Sequence, residues 1–277
     1  MKKTIVIVFY NQSIEASKTF RTLINDCKEI LSEEISIILY DNSPNSQKFD
    51  QKKYVNINIT YKHDSRNLGI ATAYNYAWSI AKTNGSEWLV LFDHDTEVTK
   101  QYVQQMGEVK EVDSGIAAVV PIISCEGTVI SPVFSDTLRP LQQERPKAGV
   151  QKKPIMAINS GSLIKVSFLN QINGFNESFA LDYLDHWIFY EIYSNGFKVQ
   201  VLDVNLEHEL SVMDYSRVSL NRYISIIDSE SYFYQHYHKE LLPAYRSQLL
   251  KRLIKQLLIV KNKRIAIQTL KKFLSLK

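Results

Sequence analysis

Short apolar, β-branched runs alternate with helical patterns through the first 120 residues, the order expected of a parallel sheet whose strands are joined by crossover helices. The runs predict strands at Thr4–Phe9, Ile35–Tyr40, Ile57–Tyr61, Trp88–Phe92 and Ile116–Pro121. Between them the spacing predicts helices near Ser13–Leu31, Gly69–Lys82 and Thr99–Lys110. In the second of these, Ile70, Ala73, Tyr74, Ala77 and Ile80 recur at helical intervals and read as one buried stripe. From Ser124 to Pro154 the periodicity dissolves into Gly, Pro, Ser and charged residues, and a loop of that length in a compact domain is usually functional or disordered. A strand at Ile155–Val166, a helix at Asp182–Asn195 ended by Gly196, and a strand at Phe197–Leu202 follow, after which helices dominate.

Composition narrows this picture. With 277 residues, 45% hydrophobic and 22% charged, the chain can bury a full core and is neither disordered nor fibrous. Cys27 and Cys125 lie far apart with no metal-ligand spacing around them, which predicts a reduced, cytosolic protein. The apolar run Ile5–Phe9 is too short for a signal peptide, and no stretch reaches the roughly eighteen apolar residues of a membrane span. Charge changes the picture more. The segment Lys239–Lys277 holds eleven Lys/Arg against the single acid Glu240, a net +10 that leaves −6 on the rest of a +4 chain. A basic tail on an acidic body suggests an anionic partner surface, either a membrane or a polymer.

The polar residues at the strand ends carry the candidate chemistry. Asp93-His94-Asp95 stands where the wholly apolar strand Trp88–Phe92 runs out, and ligands of open α/β sheets bind at such carboxyl ends. Carboxylates two residues apart can hold a hard divalent cation, and the cation can neutralise a diphosphate; a solvated turn or a helix cap is the plain alternative. Asp41 follows the second strand in Asp41-Asn42-Ser43-Pro44, where by itself it reads more readily as an Asx turn. Arg66-Asn67-Leu68-Gly69 links the third strand to a helix: Gly69 permits close backbone approach, and Arg66 can reach a phosphate or base.

With these motifs in this order, the chain resembles the family-two glycosyltransferases of GT-A fold, in their bacterial rhamnosyltransferase-like form. Tyr10-Asn11 resembles the family's opening motif, Asp41 its base-binding aspartate, and Arg66 to Asn75 its asparagine/glycine/alanine stretch. Asp93-His94-Asp95 resembles the DxD motif, whose second acid meets the metal and whose first meets the ribose side. Asn159-Ser160-Gly161 and Gly174-Phe175-Asn176-Glu177 look like the small-residue strand and the turn that follows it. Leu181 to Trp187 looks like the acceptor-side acid motif, with Asp185 in the place of the catalytic base. His208 looks like the histidine that completes the metal site. The match spans about residues 4–210. Its departures are Trp187 and Glu191, where members often carry an acid and an arginine, and Ser211, near the place of a usual glycine.

The resemblance implies a mixed, mostly parallel sheet flanked by helices; together with the charge pattern it divides the chain into a catalytic domain at 1–238 and a basic amphipathic helical tail at 239–277. It implies an inverting glycosyltransferase that uses Mn²⁺ or Mg²⁺ at Asp95 and His208. Donor binding falls to Tyr10, Asn11, Asp41, Arg66, Asn67, Gly69, Asp93 and His94. The donor is a dTDP- or UDP-sugar, with dTDP-rhamnose the best match, and the acceptor is a cell-surface polysaccharide or lipid-linked glycan. Nucleic acid is not among the partners, and an inactive nucleotide-sugar-binding scaffold is the alternative. The residues add two expectations of their own. Leu181, Leu184, Ile188 and Ile192 form one apolar helical face that Asp185 shares, so the acid borders a polar cleft, whereas Asp182 turns off that stripe. In the tail, Leu250, Leu253, Ile254, Leu257 and Leu258 share one face with cations opposite, as in an interfacial helix or one packed on its own domain.

Overall fold

The computed structural model describes residues 1–31, 34–54, 57–109, 114–138, 144–209 and 219–276. Its strands are β1 (Lys3–Phe9), β2 (Ile35–Asp41), β3 (Asn58–His63), β4 (Trp88–Asp93), β5 (Thr96–Glu97), β6 (Ile116–Cys125), β7 (Thr128–Ser131), β8 (Val133–Phe134), β9 (Gly149–Val150), β10 (Ile155–Met156), β11 (Ser162–Lys165) and β12 (Lys198–His208). The helices are α1 (Lys18–Arg21), α2 (Ile70–Thr83), α3 (Lys100–Glu108), α4 (Val166–Ile172), α5 (Leu184–Ser194), α6 (Leu220–His236), α7 (Leu242–Ile259) and α8 (Lys263–Ser275). The main sheet runs β3-β2-β1-β4-β11-β6-β12-β5, with β7 beside β6 and β9 beside β12. Its first four strands are parallel, as are β6 and β12, while β11 runs antiparallel to both its neighbours.

Both faces of the sheet are covered at its centre, so β1, β2, β4 and most of β6 are buried without alternation, whereas the outlying β3 and β12 alternate. Val6 and Val8 of β1 meet Ala73, Tyr74 and Ala77 of α2 on one face, where α4, α5 and the last three helices also contribute. Ile5, Ile7 and Phe9 meet Leu23, Tyr102 and Met106 on the other. The α2 stripe is closed by buried Ala81 and not by Ile80, which is 36% exposed, because the four-residue step from Ala77 keeps the helical phase.

Several predicted elements change length. The helix expected at Ser13–Leu31 shrinks to α1, a π turn at Thr22–Asp26 and a 3₁₀ turn at Lys28–Ile30. Thr22 accounts for part of this, since its hydroxyl bonds the carbonyls of Lys18 and Thr19 and accepts from Val98 N, competing with regular helix bonding. The strand expected at Ile155–Val166 breaks into β10 and β11 around Gly161, whose φ is +80°, and Val166 already begins α4. The strand expected to stop at Leu202 runs on to His208. Lys110 and Ser211 lie outside the described residues.

The C-terminal helices form an antiparallel hairpin, α7 and α8, set against α6. Tyr245, Leu249 and Ile265 are buried in the same core as α5, and Arg252 makes a two-pronged ion pair with Glu230 at 2.7 and 2.8 Å. Leu253, expected on the interfacial face of the tail, is turned inward. Among the described residues, no helix is long and apolar enough to cross a membrane.

Candidate active site

Parallel register brings four strand ends to one edge of the sheet: Phe9 pairs with Asp41, Asp41 with His63, and Val8 with Asp93. Every motif named from the sequence between Tyr10 and Asp95 therefore leaves the sheet on the same side. The turn Asp93-His94-Asp95 is held from beneath by α1. Thr19 Oγ1 donates to the Asp93 carbonyl at 2.6 Å, and Ser17 Oγ donates to the His94 carbonyl at 2.7 Å. Neither acid caps α3, because Thr99 does so by accepting from Tyr102 N.

Antiparallel pairing of β12 with β5 sets His208 opposite Thr96 and so beside this turn. One ligand atom each from Asp93, Asp95 and His208 lies within 4.8 Å of the others. His208 Nδ1 stands 2.8 Å from Thr96 Oγ1 and 3.3 Å from Asp95 Oδ1, and the latter is a contact without hydrogen-bond geometry. Thr96 Oγ1 in turn meets Ser160 Oγ at 2.6 Å, and Ser160 Oγ accepts from Asp93 N. The cluster is short of positive charge. Burial, and then the charge of Asp95, push the Asp93 carboxyl up to about 6, and Asp95 Oδ1 is a buried acceptor without a donor. Two carboxylates and an imidazole form a donor set that suits a divalent cation, which would supply the missing charge.

The residues expected to meet the donor are placed unevenly. Tyr10 is 49% exposed at the edge, and Asn11, at φ 51°, donates its N–H to Ser43 Oγ. Asp41 is fully buried. Its Oδ1 accepts from Ser43 N, the Asx turn that its local sequence suggests, and its Oδ2 accepts from Gln47 Nε2 and Tyr61 Oη. Arg66 projects outward, but its guanidinium is gripped by Asp64 through Nε at 2.8 Å and Nη2 at 2.6 Å. These contacts, aided by Tyr40 Oη, hold the Asp64 carboxyl well below the usual carboxylate range. Asn67 takes φ 48° on the way into α2. Gly69 does permit a close approach, although the partner is the chain's own backbone: a Cβ there would sit 2.1 Å from the Ala180 carbonyl oxygen, which accepts from Ile70 N.

In the segment expected to meet the acceptor, α5 begins after Tyr183, whose φ of 65° ends the preceding loop. Leu181 therefore lies ahead of the helix and is 46% exposed, and the inward stripe consists of Leu184, Trp187, Ile188 and Ile192. Asp185 stands in the first turn at the border of that stripe, half-buried, with His186 N donating to its Oδ1 at 2.8 Å. Its charge is felt by both Asp93 and the buried Tyr74 hydroxyl, so Asp185 lies within electrostatic reach of the acid turn. Asp182 is committed elsewhere. It is paired with Arg222 at 2.5 Å and accepts from Ser225 Oγ at 2.8 Å, tying the loop to α6, while its burial outweighs these contacts and raises its carboxyl.

Residues 4–172 match the family model described as Glycosyl transferase family 2. The chain belongs to this family. No curated protein matches the sequence. Among solved structures, the family 2 chain is similar to residues 1–349 of S. aureus TarS, with a TM-score of 0.55 at 12% identity over 99% of this chain and 88% of that one. The TarS complex with UDP-GlcNAc matches with a TM-score of 0.54 at 13% identity, covering 99% and 80% of the two chains. The mannosyltransferase PcManGT from Pyrobaculum calidifontis, in complex with GDP-Man and Mn²⁺, matches with a TM-score of 0.56 at 15% identity, covering 99% and 87%. The expected mixed α/β, GT-A-like architecture with C-terminal helices is thus the observed one.

The family's asparagine stretch and its later turn are joined physically. Asn75 accepts from Phe175 N at 2.7 Å and donates back to the Phe175 carbonyl, fixing the loop that leads to α5. Trp187 and Glu191, two of the three departures noted from the sequence, line an open cleft of about 570 Å³ together with Asn173, Glu177 and Tyr237. Trp187 is only 5% exposed and does not offer a ring face to a sugar. Sequence reasoning missed Thr19, Gln47, Tyr61, Asp64, Thr96 and Arg222 as supports. Only Asp64, two residues before Arg66, carried a local signal.

Proposed function

We propose that this family 2 domain transfers a sugar from a nucleoside-diphosphate donor to an acceptor hydroxyl with inversion. The motif Leu181 to Trp187 favours dTDP-rhamnose as donor, with UDP-sugars second, and a cell-surface polysaccharide or lipid-linked glycan as acceptor, met at the inner face of the membrane. In this reading residues 1–238 are catalytic and 239–277 form a basic appendage. The observation that carries it is the convergence of Asp93, Asp95 and His208 at the carboxyl edge of the sheet, within electrostatic reach of Asp185. Asp95 and His208, with Asp93 beside them, would hold Mn²⁺ or Mg²⁺, which when bound offsets charge on the diphosphate. Tyr10, Asn11, Asp41, Arg66, Asn67, Gly69 and His94 position the donor. Asp185 takes the proton of the acceptor hydroxyl as its oxygen attacks the anomeric carbon and the bond from that carbon to the diphosphate breaks. Calorimetry with dTDP, UDP and GDP, with and without Mn²⁺, followed by a donor-hydrolysis assay, tests this. Metal-dependent nucleotide binding with turnover is expected. Binding without turnover would instead support the scaffold reading, which draws on Trp187 and Glu191.

A further inference from the structure

Among the described residues, eight of the fourteen exposed large apolar side chains sit on α7 and α8. At 100° per residue, the packed face of α7 is Tyr245, Leu249, Leu253 and Gln256, and diametrically opposite it stand Ile254 (53% exposed) and Leu258 (78%), flanked by exposed Lys251 and Lys255. On α8, Ile265, Ala266 and Thr269 pack inward, while Leu270 (41%) and Leu274 (69%) look outward among exposed Lys263 and Lys271. A helix packed on its own domain turns polar residues to water. These two turn leucines and lysines outward instead, and no acid. The nearby acids of α6 are already engaged, Glu230 with Arg252 and Asp228 with Lys272.

We infer that the outward faces of α7 and α8 dock on an anionic lipid leaflet, with Ile254, Leu258 and Leu274 entering the boundary between headgroups and acyl chains while Lys251, Lys255 and Lys271 reach headgroup phosphates. Charge selects this occupant. The tail carries +10, so a second copy presenting the same face is repelled, whereas an anionic bilayer attracts it. Docking there would bring the domain to the surface that carries a lipid-linked acceptor, a consequence that rests on the proposed transferase reading. The docking itself does not rest on it, and is measured without donor or metal.

The full-length chain is sedimented with vesicles of pure phosphatidylcholine and of phosphatidylcholine mixed with phosphatidylglycerol. Binding to the mixture, weak binding to the pure lipid, and release by salt are expected. Lys251→Gln with Lys255→Gln lowers partitioning about 30-fold, the loss expected for two cations at an anionic surface. Ile254→Ser with Leu258→Ser lowers it by roughly tenfold or more, through lost apolar burial in the interface. All four residues are exposed, so circular dichroism and melting temperature stay as in the parent. Absence of vesicle binding overturns the inference, as does binding that is indifferent to lipid charge or to both double substitutions. Self-association abolished by the apolar pair, without vesicle binding, would assign the face to a second copy.

Discussion

Replacing Asp185 by Asn removes a proton acceptor and little else. Its one hydrogen bond is with His186 N, which an Asn carbonyl oxygen accepts equally well, so stability should move by no more than about 0.5 kcal/mol. Positioned general bases contribute typically about 10²–10⁴-fold, so turnover should fall by that order, roughly 3–5 kcal/mol in the barrier, with donor affinity unchanged. Asp182→Asn is the paired control. It gives up a charge-assisted bond to Arg222, which is 30% exposed and so keeps some solvation. The loss is about 1–2 kcal/mol, and with a few degrees per kcal/mol at this size the melting temperature should drop by about 3–6 °C while turnover per folded molecule stays near normal. Initial rates of nucleotide release at matched folded concentration, together with thermal melts, read both quantities. If Asp182→Asn cripples turnover without a melting shift and Asp185→Asn is nearly as active as the parent, the base is assigned to the wrong carboxylate.

Asp95→Ala should abolish metal-dependent donor binding in calorimetry, and unchanged metal dependence would remove Asp95 from the site. Thr96→Val, which deprives His208 Nδ1 of its partner, should weaken Mn²⁺ by about 10–100-fold in a metal titration while the fold survives. Because burial and Asp95 raise Asp93 to about 6, it holds a proton below that pH which a cation must displace; Mn²⁺ affinity should therefore fall as pH drops from 7 towards 5, by up to about tenfold per unit, with proton release measurable by calorimetry in buffers of different ionisation enthalpy. Gly69→Ala should destabilise by about 2–4 kcal/mol in denaturant melts, since its Cβ would meet the Ala180 carbonyl at 2.1 Å on a backbone at φ +96°.

The amino-acid pattern by itself determined strands β1 to β4, the acid turn at the end of Trp88–Phe92, and the helix that follows Gly69, because period and strand-end polarity are local properties that a single segment displays. It also determined that the tail is basic and amphipathic. Only the tertiary structure decided which residues meet. His208 reaches Asp95 because β12 runs six residues beyond its predicted end and pairs with the two-residue strand β5, a contact between segments more than a hundred residues apart that no periodicity encodes. The left-handed turn at Tyr183 moved the start of α5 past Leu181 and Asp182, freeing Asp182 to bind Arg222 and leaving Asp185 in the first turn of the helix. In the tail, five apolar residues fit one stripe on the sequence, but burial against α6 and α8 took Leu253 inward and left Ile254 and Leu258 outside. Amphipathicity fixes how wide an apolar face is, and only the partner that packs against it fixes which edge of that face is buried.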